Sequence, residues 1–120
     1  MLKARFFYLK TCDTCRKILK ELNLPNEVVL REIKSAHLTP EELEQMKAHF
    51  SSYKELFNKR AVKFRSIDSS SFGDSDYKKL LLSYYTFLKR PVLLLSDKAF
   101  AGNSKAVVTQ MSLYLDSVIS

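Results

Sequence analysis

The sequence predicts an α/β fold: a mixed four-stranded sheet flanked by helices, with a helical insertion between a βαβ half and a ββα half. Three observations predict it. Short apolar runs rich in aromatic or β-branched residues stand at both ends of the chain and read as strands. Amphipathic stretches with helical spacing alternate with them. The first strands are separated by a helical pattern and the last two by a short turn, so one pair is parallel and the other antiparallel.

ARFFYL (4–9) is short, apolar and bounded by charge, as a buried strand should be. TCDTCRK follows it. In RKILKELNL, Ile18, Leu19 and Leu22 recur at helical spacing, and Pro25 ends the pattern. EVVLREI (27–33) is rich in β-branched residues and predicts the second strand. TPEELEQMKAHF opens a new helix with Thr39 as N-cap, Pro40 at the first helical position and Glu42 closing a capping box. SSYKELFN predicts a short helix after a break near Ser51, and KRAVKFRSI a loop or a single turn. SIDSSSFGDS is the most loop-like stretch. Residues 76–88 predict a helix with Leu80, Leu81, Tyr84, Tyr85 and Leu88 on its buried side. Residues 92–95 predict a buried strand, Ser96-Asp97-Lys98 a turn, and 98–101 a returning strand. Residues 104–119 carry Val107, Val108, Met111, Leu115 and Val118 at helical spacing and should lay that face on the sheet. This order is the thioredoxin topology with a helical insertion.

At 120 residues with 46% hydrophobic content, the chain suits a single domain, 1–120, that folds around one core without staples or metals. The longest apolar stretch, LLLSYYTFL (80–88), is too short to span a bilayer, so no membrane association is expected. The N-terminus alternates charge with apolar residues, unlike a secretory signal, and predicts a cytoplasmic protein. In a reducing compartment a cysteine pair is more often catalytic or redox-sensing than structural. Net charge is +7. The basic residues gather at Lys10/Arg16/Lys17, Lys59/Arg60/Lys63/Arg65 and Lys89/Arg90, as a solvated surface or as a face for an anion or acidic partner. No recognition-helix motif accompanies them, so direct DNA binding is not expected.

Cys12 and Cys15 are the only cysteines. A structural zinc site needs four ligands, usually as two close pairs. No second cysteine pair exists, and His37 and His49 stand far from finger spacing, so no metal and no bound cofactor are expected. Two inert buried cysteines are the bland alternative. A CxxC at the strand-to-helix junction of a βαβ unit favours redox or thiol chemistry. The nucleophile is the thiolate, and Cys12 lies where unpaired backbone N–H groups and the positive end of a helix dipole would stabilise it. Arg16 and Lys10 add positive charge there, and Asp13 opposes it. Cys15, one turn further in, would be more buried, share a face with Cys12, and resolve a mixed disulfide formed on it. In this topology the proline before the third strand, here Pro91, commonly forms a cis peptide facing the cysteines. A trans proline opening an edge strand is the alternative, and the sequence alone does not separate the two.

FYLKTCDTCRK, the TPEEL helix start, FNKR, LKRPVLL and the short strand ending in AGN together resemble the family that joins glutathione- or glutaredoxin-dependent arsenate reductases (ArsC) with the Spx-type transcription regulators. The resemblance covers nearly the whole chain. It implies that Cys12 is the nucleophile that attacks arsenic in the reductases, and that Arg90 binds the oxyanion. Arg60, in FNKR, falls near the family's middle arginine. The third arginine of the reductases is unmatched: Asn103 falls about there, with Lys105 close by. The resemblance implies a small thiol or oxyanion substrate, with glutathione, a glutaredoxin or a thioredoxin as electron donor. Cys15 departs from the reductases, which often lack a second cysteine there, and looks like the Spx branch. Spx-type regulators bind RNA polymerase and switch on the state of a disulfide. The sequence therefore predicts a thiol-dependent oxidoreductase, with a redox-switch regulator as the alternative.

Overall fold

The computed structural model describes residues 3–119. The chain divides into two compact units: Met1–Ala36 with Arg90–Ser120, and His37–Lys89. The first unit joins the two ends of the chain in one sheet. Its strands are β1 (Ala4–Tyr8), β2 (Val28–Glu32), β3 (Val92–Leu95) and β4 (Ala99–Ala101), in the order β2-β1-β3-β4. β1 runs parallel to β2 and antiparallel to β3, and β4 returns antiparallel to β3. This mixed, helix-flanked sheet is the expected thioredoxin-like architecture.

One face of the sheet carries the core of this unit. Phe6 and Tyr8 of β1, Val28 of β2, and Leu93 and Leu95 of β3 alternate onto it, as strand periodicity requires. Helix α1 (Asp13–Leu22) adds Cys15 and Ile18, and helix α4 (Lys105–Ile119) adds Met111 and Leu115. Val107 and Val108 are half-buried against this cluster, as expected, whereas Val118 in the last turn of α4 is 41% exposed and outside it. Phe7, Val92 and Leu94 point to the opposite face and are buried there. On that face the guanidinium of Arg31 lies 5.4 Å from the Phe7 ring centroid.

α1 starts directly after Cys12 and ends at Asn23, which adopts the left-handed conformation (φ 47°) that asparagine tolerates best after glycine. Gly102 (φ 111°) makes the corresponding turn between β4 and α4, where L side chains are strained. Ser104 caps α4 by accepting the Val107 N–H through its Oγ.

The second unit holds helices α2 (Pro40–Lys47) and α3 (Asp74–Ser83) and three single 3₁₀ turns, Tyr53–Leu56, Val62–Ser66 and Tyr85–Phe87. The capping box at Thr39 is formed in both directions: Thr39 Oγ1 accepts the Glu42 N–H, and the Glu42 carboxylate accepts the Thr39 N–H. The short helix expected at SSYKELFN is a 3₁₀ turn whose first two N–H groups, of Tyr53 and Lys54, donate to the Asp74 carboxylate. The helix expected over 76–88 begins two residues earlier and stops at Ser83. Tyr84 is extended (φ −159°, ψ 140°), and Leu88 bridges to Phe57, which a continuous helix would forbid. The run Tyr84-Tyr85-Thr86 is aromatic and β-branched, a poor helix sequence once a competing pairing is available. Phe57 centres an aromatic cluster, with Phe64, Tyr77 and Phe87 rings at 4.9, 5.0 and 5.3 Å. Among the described residues no helix is long and apolar enough to cross a membrane.

Candidate active site

Cys12 is positioned from both sides. Its N–H donates to the Leu9 carbonyl (3.1 Å), closing a turn with Lys10 and Thr11 at the corner. Its own carbonyl accepts the Arg16 N–H (3.1 Å) and begins α1. Between these bonds Cys12 is the N-cap, and its Sγ accepts the Cys15 N–H at 3.4 Å. A thiol thus fills the place that serine or aspartate usually takes, so the helix end directs an orphan N–H at the sulfur.

The register of the sheet brings the second half of the chain to this end. β1 pairs with β3 so that Phe7 faces Val92; continuing that register sets Arg90 beside Leu9, where the cysteine turn leaves the sheet. The Arg90–Pro91 peptide is cis, and the Pro91 carbonyl accepts the Gly102 N–H at 2.9 Å. Cys12, Cys15, Arg90 and Pro91 therefore all belong to the first unit.

Both cysteines are free thiols in the structure, Cys12 half-exposed and Cys15 fully buried. Their electrostatics differ in sign. Burial pushes the Cys12 thiol up, but the Cys15 N–H, the Cys15 side chain and the Arg90 guanidinium outweigh it, and Cys12 sits below its ordinary value. Burial pushes Cys15 up to about 11, with the neighbouring Cys12 acting in the same direction; the Leu9 backbone and the Arg90 charge only partly offset this. Cys12 is thus the more acidic of the two thiols.

Arg16, expected to supply positive charge, instead pairs with Asp13 one turn along α1. The two side chains cancel each other, and both are well exposed. The charge that acts on Cys12 comes from Arg90. Arg60 lies in the second unit, exposed, with its N–H donating to Asn58 Oδ1 (3.1 Å). Asn103 is exposed beside the Ser104 cap, and Lys105 opens α4. Glu32, which the sequence did not single out, meets this region through the backbone: its Oε2 accepts the Lys10 N–H at 3.0 Å.

The sequence model of the ArsC family matches residues 7–111. This chain belongs to the ArsC family. Among curated proteins none matches it. Among solved structures, an ArsC-family-related protein of Bacteroides fragilis superposes with a TM-score of 0.72 at 24% identity, over 91% of this chain and 97% of that one. An arsenate reductase of Vibrio cholerae gives a TM-score of 0.74 at 13% identity, over 91% and 97%. An ArsC-related protein of Brucella melitensis gives 0.67 at 23%, over 93% of each chain. At these identities the likenesses establish the shared fold. The ArsC family match spans the cysteine turn, the insertion and Arg90–Pro91.

Proposed function

We propose that this ArsC-family chain is a thiol-dependent oxidoreductase in which Cys12 is the nucleophile and Cys15 the resolving thiol. The observation that carries the proposal is the opposed pair of thiols: Cys12 lowered beside Arg90 and a helix N–H, Cys15 buried and raised to about 11. Only one of them is a nucleophile in the resting protein.

On a disulfide RSSR′, the Cys12 thiolate attacks one sulfur, forms Cys12–S–SR and expels R′S⁻. Capping Cys12 removes its negative charge, which is one of the influences holding Cys15 protonated. Cys15 then loses its proton, attacks Cys12 Sγ and expels RS⁻, leaving a Cys12–Cys15 disulfide. Two electrons from an external dithiol, or from two glutathiones, restore both thiols. On an oxyanion such as arsenate, Arg90 would hold the oxygens while Cys12 Sγ attacks the arsenic and one As–O bond breaks, its oxygen leaving as water. A second thiol then attacks the Cys12 sulfur, the S–As bond breaks and its electron pair stays on arsenic, giving As(III) and a disulfide. Asn103 in place of the reductases' third arginine favours the disulfide chemistry over arsenate.

Purified protein should be assayed with glutathione and arsenate, and separately with a general disulfide, beside a Cys12→Ser control. No turnover above that control on either substrate would sink the proposal. Cys15 itself favours one further reading, a Spx-type redox switch that docks on RNA polymerase. Capture of RNA polymerase by the oxidised but not the reduced protein would support that reading, and capture in neither state would remove it.

A further inference from the structure

We propose that Glu32 is a positioning residue for Cys12: its carboxylate holds the corner of the turn that presents the thiol. The inference rests on the reading of Cys12 as the nucleophile. At the corner of the Leu9–Cys12 turn, the Lys10 N–H is met by a side chain, the Glu32 carboxylate. β1 has ended at Tyr8, whose carbonyl accepts the Ile33 N–H (3.0 Å), so the main-chain ladder between β1 and its parallel neighbour stops there. Glu32, the last residue of β2 and the register partner of Tyr8, extends the connection with its side chain.

The carboxylate serves two loops at once. Oε2 accepts from Lys10 N at 3.0 Å, and Oε1 accepts from Ser35 N at 2.7 Å. It therefore bridges the turn before α1 to the turn after β2. Burial, which alone would raise the Glu32 carboxyl, is outweighed by the Lys10, Ser35 and Lys34 contacts, which hold it below its ordinary value. The ionised form, the one that accepts on both oxygens, is thus the form the fold favours. Cys12 is separated from Lys10 by one residue, and its Sγ meets the Cys15 N–H only if the turn delivers it there. Loosening the Lys10 corner frees the N-cap residue while α1 itself persists.

The sign of the effect separates this role from simple charge. Glu32 is an anion in the same unit as Cys12. By Coulomb's law alone its removal would leave the Cys12 pKa unchanged or lower it. If Glu32 positions the turn, its removal raises that pKa, because the sulfur loses its held place under the helix N–H. The test is a titration of the Cys12 thiolate, by its ultraviolet absorbance or by alkylation rate against pH. It is run in wild type, Glu32→Ala and Glu32→Gln, with folding checked by circular dichroism. We expect an upward shift in both variants, smaller in Glu32→Gln, whose amide oxygen still accepts one of the two bonds. An unchanged or lowered Cys12 pKa in both variants, beside a depressed one in wild type, overturns the positioning role alone. A wild-type Cys12 that titrates as an ordinary thiol overturns the nucleophile reading, and this inference with it.

Discussion

The main-chain N–H of Cys15 points at Cys12 Sγ across 3.4 Å, so the second cysteine touches the first through an atom that a serine in its place retains. The two roles of Cys15 are therefore separable. Cys15→Ser should leave the Cys12 thiol below its ordinary value, since against the push of burial the backbone contact is the largest of the lowering influences. The same variant should lose the intramolecular disulfide and stop at the mixed disulfide, visible as an intact-mass increase after exposure to oxidised glutathione. A Cys12 pKa restored to the ordinary 9.0 in Cys15→Ser would assign the effect to the side chain instead.

Arg90 supplies the charge that α1 does not, because Arg16 and Asp13 neutralise each other. Arg90→Gln should raise the Cys12 pKa, because the opposite charge beside the sulfur is removed, and so lower the thiolate fraction at any pH below that pKa. Arg90→Lys should recover much of this shift. It should not recover oxyanion affinity, which depends on the planar guanidinium fork. Alkylation rate against pH reads the first effect, and arsenate inhibition of alkylation reads the second.

The two thiols also set opposite pH dependences of stability. Cys12 is lowered in the folded state, so its contribution is present above the unfolded thiol value of 9.0 and is lost as pH falls through the folded value. Cys15 is raised to about 11, so its contribution is full below 9.0 and is lost between there and about 11. Chemical denaturation of wild type and Cys15→Ser across that alkaline window isolates the second thiol from the lysines and tyrosines that titrate in both. Wild type should lose stability relative to the variant as pH rises through the window. Parallel curves would mean that Cys15 ionises in the fold as freely as in the unfolded chain.

Features whose chemistry is local could be read from the sequence before any coordinates. The Thr39 box needs only residues three apart, and both its bonds are formed. The position of Cys12 at a strand-to-helix junction is equally local and was equally legible. The pattern over 76–88 predicts one continuous helix, whereas the interruption at Tyr84 goes with a distant pairing, Phe57 with Leu88, that no window over 76–88 contains. Arg16 shows the opposite case: Asp13, three positions away and an opposing charge on the thiol in the sequence reading, pairs with the arginine itself. Glu32 left no sequence signal beyond an acid at the end of a strand. Its importance lies in reaching Lys10, 22 positions away. Arg90 is set near Cys12 by the topology, through the proline before the third strand, and by the resemblance; antiparallel β1–β3 pairing is what joins them.

That distant Phe57–Leu88 pairing makes a prediction for the second unit. The Phe57 ring is 1% exposed, lies edge-on to Phe64 and Tyr77, and stacks on Phe87. Its backbone bridges to Leu88 at the point where α3 fails to continue. Phe57→Ala should therefore remove both burial and three ring contacts, at about 3–5 kcal/mol, the usual range for emptying a phenylalanine site in a core. Thr39→Ala, which removes one cap bond on the same unit, should cost about 1 kcal/mol. Denaturant unfolding measures both, and the ratio is the informative quantity. If Phe57→Ala costs no more than Thr39→Ala, the surrounding rings have closed over the gap and Phe57 does not organise the cluster.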